Sequence, residues 1–168
     1  MKVDSKRLIK VAVVAALYAT LTFALAPISY GNLQFRISEI LVLLAFFDPF
    51  YIGGLTLGCF IANMLGPNGL PDMIFGTLAT FFSVSAISLT ARTLKGSKSA
   101  LWIASLWPTL FNGLIIGAML HVLFELPLTL TMLEVAIGEL GVVTIIGVPV
   151  MLFIRKSYPQ LLTAHKTI

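Results

Sequence analysis

Charge in this sequence is confined to short patches that separate long apolar runs, and that segregation limits the fold more than any other feature. Of 11 Lys and Arg residues, all but Arg36 lie near the N-terminus, in the 92–98 loop or near the C-terminus. The chain of 168 residues is 58% hydrophobic and only 11% charged, with a mean hydropathy of +1.01. Average soluble domains carry about 25% charged residues. No soluble fold of this length has the interior to hide so much apolar surface, so the chain reads as an integral membrane protein. A single all-α bundle over residues 1–168 is the natural unit, because a helix satisfies its own backbone polar groups in lipid. The net charge of +4 sits in the flanks of apolar runs, as topology signals do, and argues against a nucleic-acid role. The one cysteine, Cys59, excludes an intramolecular disulfide.

Six spans follow in order. The first runs from about Arg7 to Ala26, closed by Pro27. Lys2, Lys6, Arg7 and Lys10 before it, and Ala24–Pro27 after it, imitate a signal peptide; its length and its membrane-like sequel favour a retained span. Ala12, Ala15, Ala16 and Ala19 form a small-residue stripe on this helix that lets another helix approach closely. After a loop over Ile28–Leu33, span 2 (Phe35–Phe47) and span 3 (Phe50–Leu65) are short and meet at the Asp48–Pro49 turn. Thirteen helical residues rise only about 20 Å against a hydrocarbon core of about 30 Å. Gly53, Gly54 and Gly58 in span 3 point to close packing. Span 4 covers about Asp72–Ala91, span 5 Ser99–Phe124 with a kink expected at Pro108, and span 6 Thr129–Ile154 with another expected at Pro149. The basic flanks place both termini and the 92–98 loop in the cytoplasm. Four crossings with 36–65 as a re-entrant hairpin satisfy the same parity, but six are preferred.

Polar residues inside these spans are few and unevenly placed. Gln34, Arg36 and Glu39 fall within six residues of one another. A charge within a span costs about 2.5–3.5 kcal/mol on insertion scales, so it usually marks a pathway or a site. Glu139 precedes Arg155 by 16 residues, about 24 Å of helix; Asn112 and Asn63 lie about 20 Å from the same inner surface. Asp72 opens span 4 from the outer side. Polar groups from five spans therefore converge in the outer half, as in a cup open to the outside, and a solute-capture protein for import is expected. Each group also has a structural reading. Arg36 and Glu39 are spaced to pair with each other, and Asn63 and Asn112 to bond between helices. Glu134 fits an exposed residue near the outer end of span 6. His121 and Glu125 resemble half a metal site, but no third ligand is evident and no metal is expected. Walker A, HExxH and GxSxG patterns are absent, so no enzyme is expected, and import would use a gradient, a partner motor or facilitated diffusion.

The stretches LQFRISEILVLLAFFDP, GGLTLGCFIANMLGPNGLPDMIFGTLAT, PTLFNGLIIGAML and VAIGELGVV resemble the queuosine-precursor family of S-components from energy-coupling-factor (ECF) transporters. The resemblance covers nearly the whole chain beyond span 1. It implies a six-helix substrate-binding subunit in a prokaryotic cell membrane, partnered by a transmembrane coupling subunit and two ATPase subunits. This chain would hold no cofactor, and ATP would be used by the partners. Ala12, Ala15, Ala16 and Ala19 fit the helix by which S-components dock. The implied substrate is 7-cyano- or 7-aminomethyl-7-deazaguanine. Its N1–H and 2-amino donors suit a carboxylate of Glu39 or Glu139. Its O6 suits a donor from Gln34, Arg36, Asn63 or Asn112, and Asp72 lines the same cup. Its ring suits the aromatic faces of Phe35, Phe75, Trp107 or Phe111. An S-component for another vitamin-like solute, an intramembrane enzyme using His121, Glu125 and Glu139, and a purely structural subunit are the competing readings.

Overall fold

Helix dominates the computed structural model, which describes residues 5–31 and 34–162, with no strand among them. Lys2, Asn32, Leu33 and Lys166 lie outside the described residues. Helix α1 (Ser5–Ala24) is followed by a short turn, α2 (Ala26–Ser29). A 3-10 segment (Ile37–Leu43) then runs into α3 (Leu44–Phe47), and α4 (Tyr51–Met64) returns. The next rod joins α5 (Gly69–Pro71), a π segment (Asp72–Gly76) and α6 (Thr77–Thr93). Helices α7 (Ala100–Ala104) and α8 (Leu106–Phe124) form another. The last long rod is α9 (Leu128–Glu139), a π segment (Leu140–Gly147) and α10 (Val148–Ser157), with a 3-10 turn (Pro159–Leu161) behind it.

Four rods are long and apolar enough to cross a membrane: Ser5–Ala24, Gly69–Thr93, Ala100–Phe124 and Leu128–Ser157. Ile37–Phe47 and Tyr51–Met64 are shorter apolar helices. Large hydrophobic side chains such as Leu17, Phe81, Leu114, Ile145 and Phe153 stand exposed around the bundle, as lipid-facing residues do. The chain is a multi-pass helical membrane protein.

The 3-10 winding has a consequence for the shortest segment. At about 2.0 Å per residue, Ile37–Leu43 makes the eleven residues to Phe47 reach about 20 Å, where α-helix would give about 16 Å. Helix α1 packs on α4, α4 on α6, α6 on α8 and α8 on α9. The α1–α4 approach depends on Gly58, where a Cβ would stand 2.7 Å from the Ala15 carbonyl and 2.9 Å from Tyr18 Cβ. Close backbone approach of this kind is what holds helices together where lipid removes the hydrophobic drive.

The expected kink at Pro108 appears as a break at Ser105, between α7 and α8. Proline lacks the donor that Ala104 would accept from and crowds that carbonyl, so the fault falls one turn upstream. Pro149 likewise lies in the first turn of α10, and the helix ahead of it widens to π winding over Leu140–Gly147.

The basic flanks gather at one end of the bundle. Arg7 pairs with Asp48 at 2.9 Å and its guanidinium lies 4.0 Å from the Phe50 ring centre, tying the start of α1 to the α3–α4 turn. Lys10 donates to the Gln160 carbonyl at 3.1 Å, bringing the C-terminal turn to the same end. The 94–98 loop lies beside Phe46 and Arg155 there.

Candidate functional site

The site is built on three stretches where the helix departs from α geometry. Glu39 lies in the 3-10 segment, Asp72 opens the first π segment and Glu139 immediately precedes the second. Seven residues of 3-10 helix is long for that form, and π turns recur at functional sites because they re-aim side chains. Ahead of Glu39, Gln34 takes a left-handed φ of 48° and Arg36 an extended conformation, which turns both side chains inward from a non-helical entry.

Arg36 is the hub of a closed network. Its Nη1 donates to Asn63 Oδ1 at 2.9 Å, its Nη2 to Asp72 Oδ2 at 3.0 Å, and its Nε to the Ser29 carbonyl at 3.2 Å. Asn63 Nδ2 donates in turn to the Asp72 carbonyl at 3.0 Å, and Asn68 Nδ2 reaches Asp72 Oδ2 at 3.5 Å. Gly76 makes room for this, since a Cβ there would stand 2.9 Å from Asp72 Oδ1 and closer still to Asn63 Nδ2. The expected Arg36–Glu39 pair is not formed: Arg36 reaches across the bundle to Asp72 instead, where the guanidinium meets a carboxylate and an amide together.

Glu39 and Glu139 are held differently. The Tyr18 hydroxyl donates to Glu39 Oε1, and Asn112 Nδ2 donates to Glu139 Oε1 at 2.8 Å. Glu139 is near enough to Glu39 and Arg36 to interact electrostatically with both. Glu39 Oε2, Glu139 Oε2 and Gln34 Nε2 are buried and have no hydrogen-bond partner among the described residues. One guanidinium thus shares the interior with three carboxyl groups, and the surplus is in acceptors. Buried polar groups are nearly always partnered, and these three atoms, with the Ser29 hydroxyl, stand apart from the closed Arg36 network in that respect.

The expectation of an open cup changes in one respect. Asn63 and Asp72 are 0% exposed, Glu39 1%, Gln34 and Glu139 2%, Asn112 4% and Arg36 5%. Tyr30 stands beside the Arg36 end of this cluster: its hydroxyl donates to the Ala62 carbonyl at 2.5 Å, and its ring centre lies 5.2 Å from the Arg36 guanidinium carbon. Burial raises the Tyr30 hydroxyl above the ordinary tyrosine value, with the Arg36 charge opposing.

The aromatic candidates do not share one place. Phe35 packs, half-buried, against the main apolar core. Trp107 stacks on Phe111 at 5.7 Å, and Trp107 Nε1 donates to Thr90 Oγ1 at 2.8 Å, toward the basic end. Phe75 is exposed and lines an apolar groove of about 590 Å³ with Leu114, Ile115 and Met119. The alanine stripe divides: Ala15 and Ala19 are buried, while Ala12 and Ala16 stay exposed. His121 Nδ1 lies 2.5 Å from the Leu126 carbonyl, and Glu125 is exposed in a left-handed conformation. Among the described residues, no group of three His, Cys, Asp or Glu is placed to hold a metal ion.

Tyr18 escaped the sequence reading. It is fully buried, and Thr22 beside it donates to the Tyr18 carbonyl at 2.8 Å and meets Ser38 Oγ at 2.5 Å. The available signal was the stripe Ala15, Tyr18, Ala19 and Thr22, whose helical spacing puts two hydroxyls on the face that packs inward.

Comparison with known proteins agrees with the membrane architecture. A "Queuosine precursor transporter QueT" of Lactococcus lactis subsp. cremoris (strain MG1363) is 45% identical over 80 residues, 46% of this chain and 47% of that protein. The alignment therefore spans about half the length of that relative. No solved structure matches. The QueT transporter family matches residues 8–156, nearly the whole described chain, and the protein belongs to that family.

Proposed function

We propose that this chain is the substrate-capture subunit of an ECF-type importer and that its buried polar cluster binds a queuosine precursor, 7-cyano- or 7-aminomethyl-7-deazaguanine. The observation that carries the reading is the set of unpartnered buried atoms, Glu39 Oε2, Glu139 Oε2 and Gln34 Nε2. A deazaguanine offers N1–H and 2-amino donors to a carboxylate and an O6 acceptor to an amide N–H. The two carboxyl oxygens and the Gln34 amide match that donor and acceptor count. The family membership and the name of the Lactococcus relative support the same substrate class.

In this reading the chain crosses a prokaryotic cell membrane six times, with Ile37–Phe47 and Tyr51–Met64 as the two short crossings and both termini in the cytoplasm. Solute enters from the outer face past Ser29, Tyr30 and Arg36. Ala12 and Ala16, exposed on α1, present a small-residue surface to the coupling subunit, with Ala15 and Ala19 turned to α4. The energy comes from two partner ATPase subunits, and this chain performs no chemistry on its cargo.

Calorimetry on the purified protein tests the assignment. A deazaguanine is expected to bind, an analogue without the 2-amino group to bind at least tenfold more weakly because a buried carboxylate oxygen is left unmet, and vitamins not to bind. Vitamin binding without deazaguanine binding would move the chain to another solute. Co-purification with a coupling subunit, lost on Ala12→Leu and Ala16→Leu, tests the partner assignment separately.

A further inference from the structure

We propose that the basic end of the bundle holds a binding site for the headgroup of an anionic membrane phospholipid, between the 94–98 loop and α10. A pocket of about 450 Å³ there is lined by Lys95, Lys98 and Arg155, with Leu94, Leu101 and Leu152 among its apolar walls. Among the described residues, no carboxylate lines it. A second hollow of about 350 Å³ shares Lys95 and adds Arg92 beside Phe46 and Phe47. The loop is turned tightly at Gly96, whose φ of 87° suits glycine, and that turn sets Lys95 and Lys98 around one concavity.

Basic residues at the ends of spans are ordinary topology signals, but a concave arrangement of them is not required by that role. The ion pairs among the described residues, Arg7–Asp48 and Arg36–Asp72, use none of these four cations. Their mutual repulsion is relieved by an anion seated between them. The apolar walls favour a lipid over a free ion: a phosphate at the rim meets the cations while the glycerol and upper acyl chain lie on the partly exposed Phe46 and Leu152. The helices around the pocket expose Leu89, Trp102, Ile103 and Phe153. Basic pockets at helix ends recognise lipid phosphates by this combination.

The test is thermal unfolding and native mass spectrometry of the full chain in neutral detergent. Phosphatidylglycerol is expected to raise the unfolding midpoint and to remain bound, whereas phosphatidylcholine is not. The K95Q/K98Q/R155Q variant is expected to lose the shift, with affinity falling roughly fivefold per cation removed. A K6Q/K10Q variant, which removes charge elsewhere at the same end, is expected to keep it. If the triple variant does not fold, Lys98→Gln alone, on an exposed side chain, supplies the same readout. An undiminished shift in the lysine and arginine variants, or an equal loss in K6Q/K10Q, would overturn the site. Inorganic phosphate reproducing the shift would make it a free-anion site, and an acidic peptide doing so without phosphatidylglycerol would make it a protein-docking surface; either overturns the lipid assignment.

Discussion

Arg36, Asn63 and Asp72 close on one another, whereas Glu39 and Glu139 each end on an oxygen that no described group meets. Both sets are buried and span several helices, and both carry charge into an apolar bundle. On the function proposed above, the difference separates a structural role from a binding role. The closed ion pair and its amide tie α4, the first π segment and the entry to the 3-10 segment to one another, and removing one partner would strand a buried charge. A carboxyl group with one oxygen engaged and one free is positioned by its own partner, Tyr18 or Asn112, and still has capacity for a ligand.

Substitutions break this comparison from either side. The largest effect is expected for Asp72→Asn, which leaves the Arg36 guanidinium buried against a neutral amide. Breaking one side of a buried pair costs about 3–5 kcal/mol, so the unfolding midpoint in detergent should fall sharply. A midpoint within a degree or two of the original would mean that the closed network is not structural. Glu139→Gln and Glu39→Gln are expected to act oppositely, with small changes in unfolding but binding of a deazaguanine weakened by about 1.5–3 kcal/mol each, the range for hydrogen bonds to charged groups. Calorimetry reads this directly; unchanged affinity in both variants would remove these carboxylates from the site.

Tyr18→Phe sharpens the comparison. It deletes the donor to Glu39 Oε1 and is expected to cost about 1–3 kcal/mol of stability, because a buried acceptor loses its partner. Ligand affinity should drop with it, since Glu39 is then free to turn. A stability loss without any affinity change would show that Glu39 does not read the ligand. The smallest effect belongs to Arg7→Gln. The Arg7–Asp48 pair has the same chemistry as Arg36–Asp72, but its arginine side chain is 30% exposed. Such pairs contribute about 0.2–1 kcal/mol, and salt screens them. Unfolding at low and high salt should bring the two proteins together as ionic strength rises.

How much was legible beforehand follows from which forces act locally. The apolar runs and their basic flanks marked the four long rods and the two short ones, with ends close to those observed, because burial in lipid is decided residue by residue along the chain. Arg36, Asn63, Asp72, Asn112 and Glu139 were legible as a set for the same reason: each is expensive in an apolar run wherever its neighbours lie. The break near Pro108 was legible, displaced one turn upstream to Ser105.

Partner choice was not legible. Arg36 and Glu39 are three residues apart, and helix spacing pairs them; the structure sends Arg36 to Asp72 and gives Glu39 to Tyr18. The 3-10 and π stretches that carry Glu39 and Asp72 and follow Glu139 show no local pattern that sets them apart from the α-helical runs around them. The sequence by itself determined that this is a helical membrane protein with a costly polar set away from its basic end. Only the tertiary structure decided which members of that set satisfy one another and which keep an atom unmet among the described residues, because that depends on distances between residues far apart in the chain.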